Sequence, residues 1–201
     1  MGLSGAERVR AVIFDLDGTL ADSQLDFTAM RRETSCPDDL GLLEFIDSLA
    51  DPVEKERVAN IIHRHEMAGA RRATWIEGAQ ALCHQLTEND IPLAIFTRNS
   101  REAASYTVEA LAIPHQILIA REDAPAKPDP TGLLAITEAL DIDVDEALYV
   151  GDYLYDLQAA ANAGMRSCLY DAGECEAFRD QADIVVTEFQ QLASLLFNQS
   201  A

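Results

Sequence analysis

The stretch Val12-Ile13-Phe14-Asp15-Leu16-Asp17-Gly18-Thr19-Leu20 decides the fold. An apolar run leads directly into the carboxylate of Asp15, a second carboxylate follows at Asp17, and Gly18-Thr19 then turns the chain. Such an apolar run is typical of a strand that is buried on both faces of a parallel sheet. Open α/β sheets bind their ligands at the carboxyl ends of the strands, so both acids are expected at an active-site edge.

Simpler interpretations of this stretch exist. An Asp-Gly pair is a common turn, in which the glycine only supplies a positive φ. A calcium-binding EF-hand loop also begins with two alternating acids, but it needs glycine at its sixth position and a helix before it, whereas Gly18 comes fourth and follows a strand. The stretch alone therefore leaves the turn interpretation open, and the rest of the chain must decide.

Composition limits the partners of the protein. The 201 residues, 48% of them apolar, suffice for one large core and a small accessory domain. Fifteen basic residues against thirty-five acidic ones give a formal charge of −20, which repels nucleic acid and anionic membrane surfaces. A small phosphorylated molecule remains compatible with this charge, because a divalent cation and a few local donors can reverse the field inside one cleft.

The cysteines and the N-terminus predict a cytoplasmic location. The cysteines are scattered, without the spacing of a metal site or a disulfide framework, and are typical of buried, reduced thiols. Residues 1–6 lack the apolar core of a signal peptide, and no apolar run reaches the length of a membrane span. The cysteines are Cys36, Cys83, Cys168 and Cys175.

Residues 22–74 differ in character from the rest of the chain. They are rich in charged residues and helix formers, and prolines at Cys36-Pro37 and Asp51-Pro52 divide them into three predicted helices. In the third, Val58, Ile62 and Met67 belong to one apolar stripe. We therefore expect a small helical domain inserted after the first strand.

From residue 75 onward, predicted strands and helices alternate. Strands are predicted at 91–96, 117–120, 147–150, 166–170 and 184–187, and helices at 77–88, 100–111, 130–140, from near 155, and 188–197. Alternation at this spacing indicates right-handed βαβ units and a parallel sheet.

Polar side chains follow several of these strands. Asp15, Thr97 and Asp152 each come at or just after a strand end, and Lys127 lies in a loop after another strand. The carboxyl ends of parallel strands share one edge, so these groups should converge. Lys127 lies between Ala126 and Pro128 and is one of only two lysines among fifteen basic residues. This rarity indicates that its compact positive charge has a specific role.

The acids of this edge predict a metal. Asp152 and Asp156 stand four residues apart, on one side of a helical turn, although acids at a helix start also stabilise the helix without any further function. Clustered carboxylates repel one another unless a hard cation binds them, and Mg2+ suits carboxylates combined with a substrate phosphate. An acid nucleophile, a second acid, a metal, a hydroxyl and a lysine together indicate phosphoryl transfer through an aspartyl phosphate.

These residues resemble the four motifs of the haloacid dehalogenase superfamily of hydrolases, in order and in spacing. The motifs are D15-L16-D17-G18-T19, Thr97, Lys127 and G151-D152-x-x-x-D156. The chain looks most like phosphoglycolate-phosphatase-like members. The resemblance implies an α/β fold: a Rossmann-like parallel sheet with helices on both faces, formed by residues 1–21 and 75–201, and a small all-helical cap, formed by residues 22–74.

The resemblance also implies roles for the acids. Asp15 would attack phosphorus and form the covalent intermediate. Asp17 would protonate the leaving oxygen and then activate water, while its backbone carbonyl joins the metal ligands. Asp15 and Asp152 would bind Mg2+ directly.

The same resemblance assigns the groups that hold the phosphate. Thr97, the backbone N-H of Arg98, Gly18 and Lys127 would bind the phosphoryl oxygens, with Lys127 also counted as catalytic. Asp156 would orient Lys127 or a water bound to the metal.

The resulting expectation is a Mg2+-dependent phosphatase for a small phosphorylated metabolite, with phosphoglycolate suggested by the resemblance alone. A related phosphomutase and a non-catalytic binding protein on the same fold remain alternatives. One position departs from the family pattern, because Tyr153 follows Asp152 where many relatives have serine or another small residue.

Overall fold

The computed structural model describes residues 9–173 and 175–197. Residues 1–6, on which part of the expected location depends, lie outside these ranges. The strands are β1 (Ala11–Phe14), β2 (Ala21–Asp22), β3 (Thr74–Trp75), β4 (Leu93–Phe96), β5 (Ile117–Ile119), β6 (Ala147–Gly151), β7 (Arg166–Tyr170) and β8 (Ile184–Val186). The α-helices are α1 (Phe27–Thr34), α2 (Leu42–Ser48), α3 (Pro52–Ala70), α4 (Ala79–Glu88), α5 (Arg101–Ala110), α6 (Thr131–Leu140), α7 (Leu154–Ala163) and α8 (Phe189–Phe197).

Six of the strands form one parallel sheet in the order β5-β4-β1-β6-β7-β8. The first strand, β1, lies in the middle, between β4 and β6, and all four of its residues are buried. The predicted parallel α/β sheet is therefore confirmed. The carboxyl ends of β1, β4 and β6 lie side by side at one edge.

Alternate residues of the strands face opposite layers of the core. Val12 and Phe14 pack in the cluster that contains side chains of α4, α5 and α8. Ile13 and Tyr149 pack in a second cluster with residues of α6 and α7. Helices thus cover both faces of the sheet, which explains why the strands are continuously apolar. Within the described ranges, the helices include none with the length and apolarity needed to cross a membrane.

The helices α1, α2 and α3 form a small unit with its own apolar core. Met30, Val58 and Ile62 are buried at its centre, and apolar side chains of α2 pack against them. Asp51 begins α3, because its side chain accepts a hydrogen bond from the N-H of Val53 at 3.0 Å. The predicted helix breaks before Pro37 and Pro52 are confirmed.

A short antiparallel pair, β2 with β3, joins these helices to the sheet. Ala21 pairs with Trp75 and Asp22 pairs with Thr74. The sequence did not predict this pair, because two-residue strands are too short to show an alternating pattern. The limits of 22 and 74 for a separate cap domain stay a prediction, and the structure places this two-stranded connection at both of them.

Candidate active site

Lys127 lies at the centre of the acids that follow the strands. Its Nζ lies 2.6 Å from Oδ1 of Asp15, at the end of β1, and 2.6 Å from Oδ1 of Asp156, in the first turn of α7. The lysine is 3% exposed and Asp156 is 2% exposed. Groups that are 29 and 112 residues apart in the sequence are thus in direct contact at the carboxyl edge of the sheet.

Aromatic and backbone groups hold this lysine and its second acid. The hydroxyl of Tyr149 lies 2.9 Å from Oδ1 of Asp156, and the N-H of Tyr153 donates to Oδ2 at 3.0 Å. The rings of Phe96 and Tyr149 lie 5.6 and 5.7 Å from the Nζ of Lys127, at cation–π distance. Asp156 is therefore fixed on both oxygens and in turn fixes Lys127.

Three carboxylates share this edge with the one ammonium group. Oxygen atoms of Asp15, Asp152 and Asp156 all lie within 4.8 Å of one another. Burial raises the pKa of Asp15 to about 7, against the lowering effect of Lys127. The pKa of Asp152 lies well above its ordinary value, first because of burial and then because of Asp15. An all-oxygen donor set with excess negative charge fits a hard divalent cation such as Mg2+.

Asp17 has different surroundings from these three acids. Its Oδ2 accepts a hydrogen bond from the side-chain amide of Asn99, and its buried Oδ1 has no hydrogen-bond partner among the described residues. Burial raises the pKa of Asp17, although hydrogen bonds with Ser23 and Asn99 partly offset this effect. A buried carboxyl group with a raised pKa can carry a proton to a substrate.

The turn after Asp17 closes on Asp152. Gly18 has φ +84°, and a Cβ at this position would overlap the carboxylate of Asp152. The hydroxyl of Thr19 donates to Oδ1 of Asp152 at 3.2 Å. Gly18 is therefore required both for its backbone conformation and for this close approach.

The loop after β4 carries Thr97, Arg98 and Asn99. Thr97 is buried, and its Oγ1 accepts a hydrogen bond from the N-H of Asn99 at 3.2 Å. The side chain of Arg98 binds Glu44 on α2, and its Nη1 donates to the carbonyl of Lys127 at 2.8 Å. The phosphate-binding role expected of Arg98 therefore concerns its backbone N-H, and the guanidinium has other partners.

Sequence reasoning missed several groups at this edge. Asn99 could have been found, because it follows Thr97 by two residues at a strand end. Tyr149 lies in a buried strand two residues before Gly151, where its hydroxyl carried no separate signal. Glu44 had no signal in the sequence either, because it reaches the edge from the inserted helices.

A parallel sheet with buried acids, a lysine and a threonine at its carboxyl edge defines an α/β enzyme built for phosphoryl transfer. Comparison with known proteins narrows this class of enzyme to one family. The chain belongs to the haloacid dehalogenase-like hydrolase family, which it matches over residues 12–170.

Individual relatives agree with this assignment. The chain is 33% identical to an uncharacterised hydrolase of Saccharomyces cerevisiae, over 81% of this chain and 78% of that one. It is 29% identical to a phosphoglycolate phosphatase of Rhodospirillum rubrum, over 78% and 77% of the two chains. It is 28% identical to an N-acetylmuramic acid 6-phosphate phosphatase of Pseudomonas putida, over 80% and 82%.

A solved structure shares the fold. A hydrolase of Pseudomonas syringae superposes with a TM-score of 0.74, at 24% identity, over 96% of this chain and 100% of that one. Together with the family match, the relatives place this chain on the phosphoglycolate-phosphatase-like branch of the family, as an enzyme of the phosphatase type.

Proposed function

We propose that this chain is a Mg2+-dependent phosphatase that hydrolyses the phosphate monoester of a small molecule through an aspartyl phosphate on Asp15. The observation that carries the proposal is the 2.6 Å contact of Lys127 with both Asp15 and Asp156, beside Asp152. One buried lysine among three acids gives an excess of negative charge that a cation would neutralise. A nucleophilic carboxylate, a proton donor and a buried ammonium then supply what phosphoryl transfer requires.

The metal would be held by the side chains of Asp15 and Asp152 and by the backbone carbonyl of Asp17. When bound, Mg2+ supplies positive charge against the acids and the phosphoryl oxygens. Asp156 also belongs to the cluster of three acids, but its oxygens are already bound by Lys127, Tyr149 and a backbone N-H. We therefore assign Asp156 to the positioning of Lys127.

In the first step, a carboxylate oxygen of Asp15 attacks phosphorus and the ester P–O bond breaks. The departing oxygen takes a proton from Asp17, a carboxyl group whose pKa is raised by burial. The products of this step are the free alcohol and a phosphoryl group on Asp15.

In the second step, the Asp17 carboxylate accepts a proton from water while the water oxygen attacks phosphorus. The P–O bond to Asp15 breaks, and inorganic phosphate leaves. Through both steps, Lys127, Thr97 and the backbone N-H of Arg98 would bind the phosphoryl oxygens. The N-H of Gly18 donates to the carbonyl of Ala21 at 2.9 Å, so Gly18 would contribute by the close approach that its missing side chain allows.

The partner would be a small phosphorylated metabolite, as the names of the two phosphatase relatives suggest for those proteins. The formal charge of −20 argues against nucleic acid and against an anionic membrane. The burial of all four cysteines supports a reducing compartment and hence a cytoplasmic location.

The test is phosphate release from a panel of small phosphate esters, with Mg2+ and with EDTA, by the wild type and by Asp15→Asn. We expect release that requires Mg2+ and is lost in the variant. Conversion of a sugar phosphate to its isomer without phosphate release would instead indicate a phosphomutase. Metal-independent release, or release that survives in Asp15→Asn, would contradict the proposal.

A further inference from the structure

The side chain of Arg98 connects the inserted helices with the active-site edge. Its Nη2 lies 2.6 and 2.8 Å from the two carboxylate oxygens of Glu44 on α2. Its guanidinium carbon lies 4.3 Å from the centre of the Tyr155 ring, and Nη1 donates to the carbonyl of Lys127 at 2.8 Å. Arg98 is thus held by three different segments of the chain.

The position of this ion pair matters for the substrate. Arg98 directly follows Thr97 and bonds the backbone of Lys127, two residues that we assign to phosphate binding. Glu44 therefore brings a carboxylate from the helical insertion to the rim of the same site. The Arg98 side chain is 20% exposed and the Glu44 side chain is 39% exposed, so both lie within reach of a molecule that enters from solvent.

Two further cations near this edge, Lys127 and Arg121, already have acidic partners. Lys127 is shared by Asp15 and Asp156. Arg121, in the loop after β5, binds the buried carboxylate of Glu66 on α3 at 2.7 Å. Each of these cations, like Arg98, is paired with a carboxylate of the protein, so a second negative group of a substrate that bound any of the three would have to displace that carboxylate.

We propose that Glu44 makes this site select phosphate monoesters of uncharged alcohols, such as polyols, over esters whose alcohol part carries a carboxylate. The inference rests on the proposed function and names its substrate class. A carboxylated substrate would either leave Glu44 without its cation or remain unpaired beside it, and both outcomes cost binding energy. Phosphoglycolate should therefore be a poor substrate.

Matched pairs of esters test this selection. Glycerol 3-phosphate and 3-phosphoglycerate differ by one carboxylate, and so do sorbitol 6-phosphate and 6-phosphogluconate. The kcat/KM ratio within each pair would be measured for the wild type, for Glu44→Gln and for Asp47→Asn. Asp47 is the matched control, since it lies on the same helix and pairs with Lys55 at the protein surface.

In the wild type we expect the uncharged member of each pair to react with a kcat/KM at least about tenfold higher, the factor that corresponds to one charge-assisted hydrogen bond. Glu44→Gln should raise the relative kcat/KM of the carboxylated member about tenfold or more, because it frees the guanidinium of Arg98. Asp47→Asn should leave the ratio at its wild-type value. Equal kcat/KM values within the wild-type pairs, or equal effects of the two variants, would overturn the inference.

A binding measurement separates this inference from the proposed function. Calorimetric titration of the same pairs into Asp15→Asn reports binding without turnover. Tighter binding of the uncharged members, reversed when Glu44→Gln is added to Asp15→Asn, supports selection by Glu44 even if the wild type releases no phosphate. Turnover without any difference in binding would leave the phosphatase proposal intact and overturn the selection.

Discussion

Two groups of buried charged side chains, one on α3 and one at the sheet edge, differ in their balance of charge. On α3, Glu66 is 5% exposed and its carboxylate binds one partner cation, Arg121, together with the backbone N-H of Ser100. At the sheet edge, the single ammonium of Lys127 faces three acids within 4.8 Å of one another. One acid with one cation joins helix α3 to the core, whereas at the sheet edge three acids share one cation.

The difference separates a structural ion pair from a functional site. A buried charge is tolerated when partners satisfy it, as they do for Glu66. An uncompensated cluster destabilises the fold unless a cation and a substrate complete it, and such clusters are typical of catalytic sites. The pKa values of Asp15 and Asp152 at the sheet edge are raised first by burial and then by neighbouring acids.

The largest effect is expected from the lysine. Lys127→Met removes the cation between two acids, and turnover should fall at least about a hundredfold, as after loss of one group that stabilises the transition state. Lys55→Met is the control, because Lys55 is half-exposed and pairs with Asp47 at the protein surface. The turnover of both variants would be measured as phosphate release at saturating Mg2+. Equal activity in the two variants would remove Lys127 from the mechanism.

The second prediction compares the two buried groups directly, through urea unfolding in EDTA. Glu66→Gln leaves Arg121 without its carboxylate and should lower the free energy of unfolding by about 1–3 kcal/mol. Asp152→Asn removes one of three mutually repelling acids and should raise it. Glu54→Gln, at the exposed pair with Arg57, should change it far less than either. A loss of stability in Asp152→Asn as large as that in Glu66→Gln would show that the cluster is balanced after all.

The third prediction concerns pH. Without metal, Asp15 keeps its proton up to about pH 7 in the folded state, against an ordinary value of 3.8. The folded state therefore binds the extra proton between these values, and the stability that this gives is lost as the pH rises toward 7. Asp15→Asn lacks this loss of stability. The Tm of the variant minus the Tm of the wild type, both measured in EDTA, should therefore increase as the pH rises from 5 to 8.

Protons and Mg2+ should also compete at this site. Below about pH 7, the apparent affinity for Mg2+ should fall by up to about tenfold per pH unit, because Asp15 must lose its proton to bind the metal. Asp47→Asn serves as the control for both experiments and should differ from the wild type by the same amount at every pH. A pH-independent difference between Asp15→Asn and the wild type would contradict a shifted Asp15.

The smallest effect is expected at Tyr153, which is 54% exposed. Its ring packs edge-on against Tyr155 at 5.4 Å and Phe178 at 5.6 Å. Tyr153→Ser should lower the free energy of unfolding by about 1 kcal/mol, in the range of such aromatic contacts. The backbone N-H that holds Asp156 is retained, so turnover should remain within about threefold. A loss of turnover as large as that in Lys127→Met would give this side chain a direct role.

Much of the fold could be predicted because β1, β4 and β6 are continuously apolar and end at polar residues. The convergence of Asp15, Asp152 and Lys127 followed from the rule that parallel strands share one carboxyl edge, and the position of Asp156 followed from its spacing of four residues from Asp152. These predictions use information that is local in the sequence, namely where a strand ends and which residue comes next.

The features that could not be predicted depend on how the helical insertion packs on the core. Glu44 and Glu66 approach the sheet edge from α2 and α3, and no local pattern distinguishes them from other acids on these helices. The direction of the Arg98 side chain depends on Glu44 in the same way. The strands β2 and β3 contain two residues each and pair over a separation that periodicity cannot detect.

The most direct test of the account is a calorimetric titration of Mg2+ into the wild type, Asp152→Asn and Glu66→Gln at pH 8. We expect one Mg2+ site in the wild type and an unchanged affinity in Glu66→Gln. Binding to Asp152→Asn, which loses one charged ligand, should be at least about tenfold weaker. Equal affinity in the wild type and Asp152→Asn, or no binding to the wild type, would contradict the claim that the unbalanced acids at the sheet edge form a metal-dependent site.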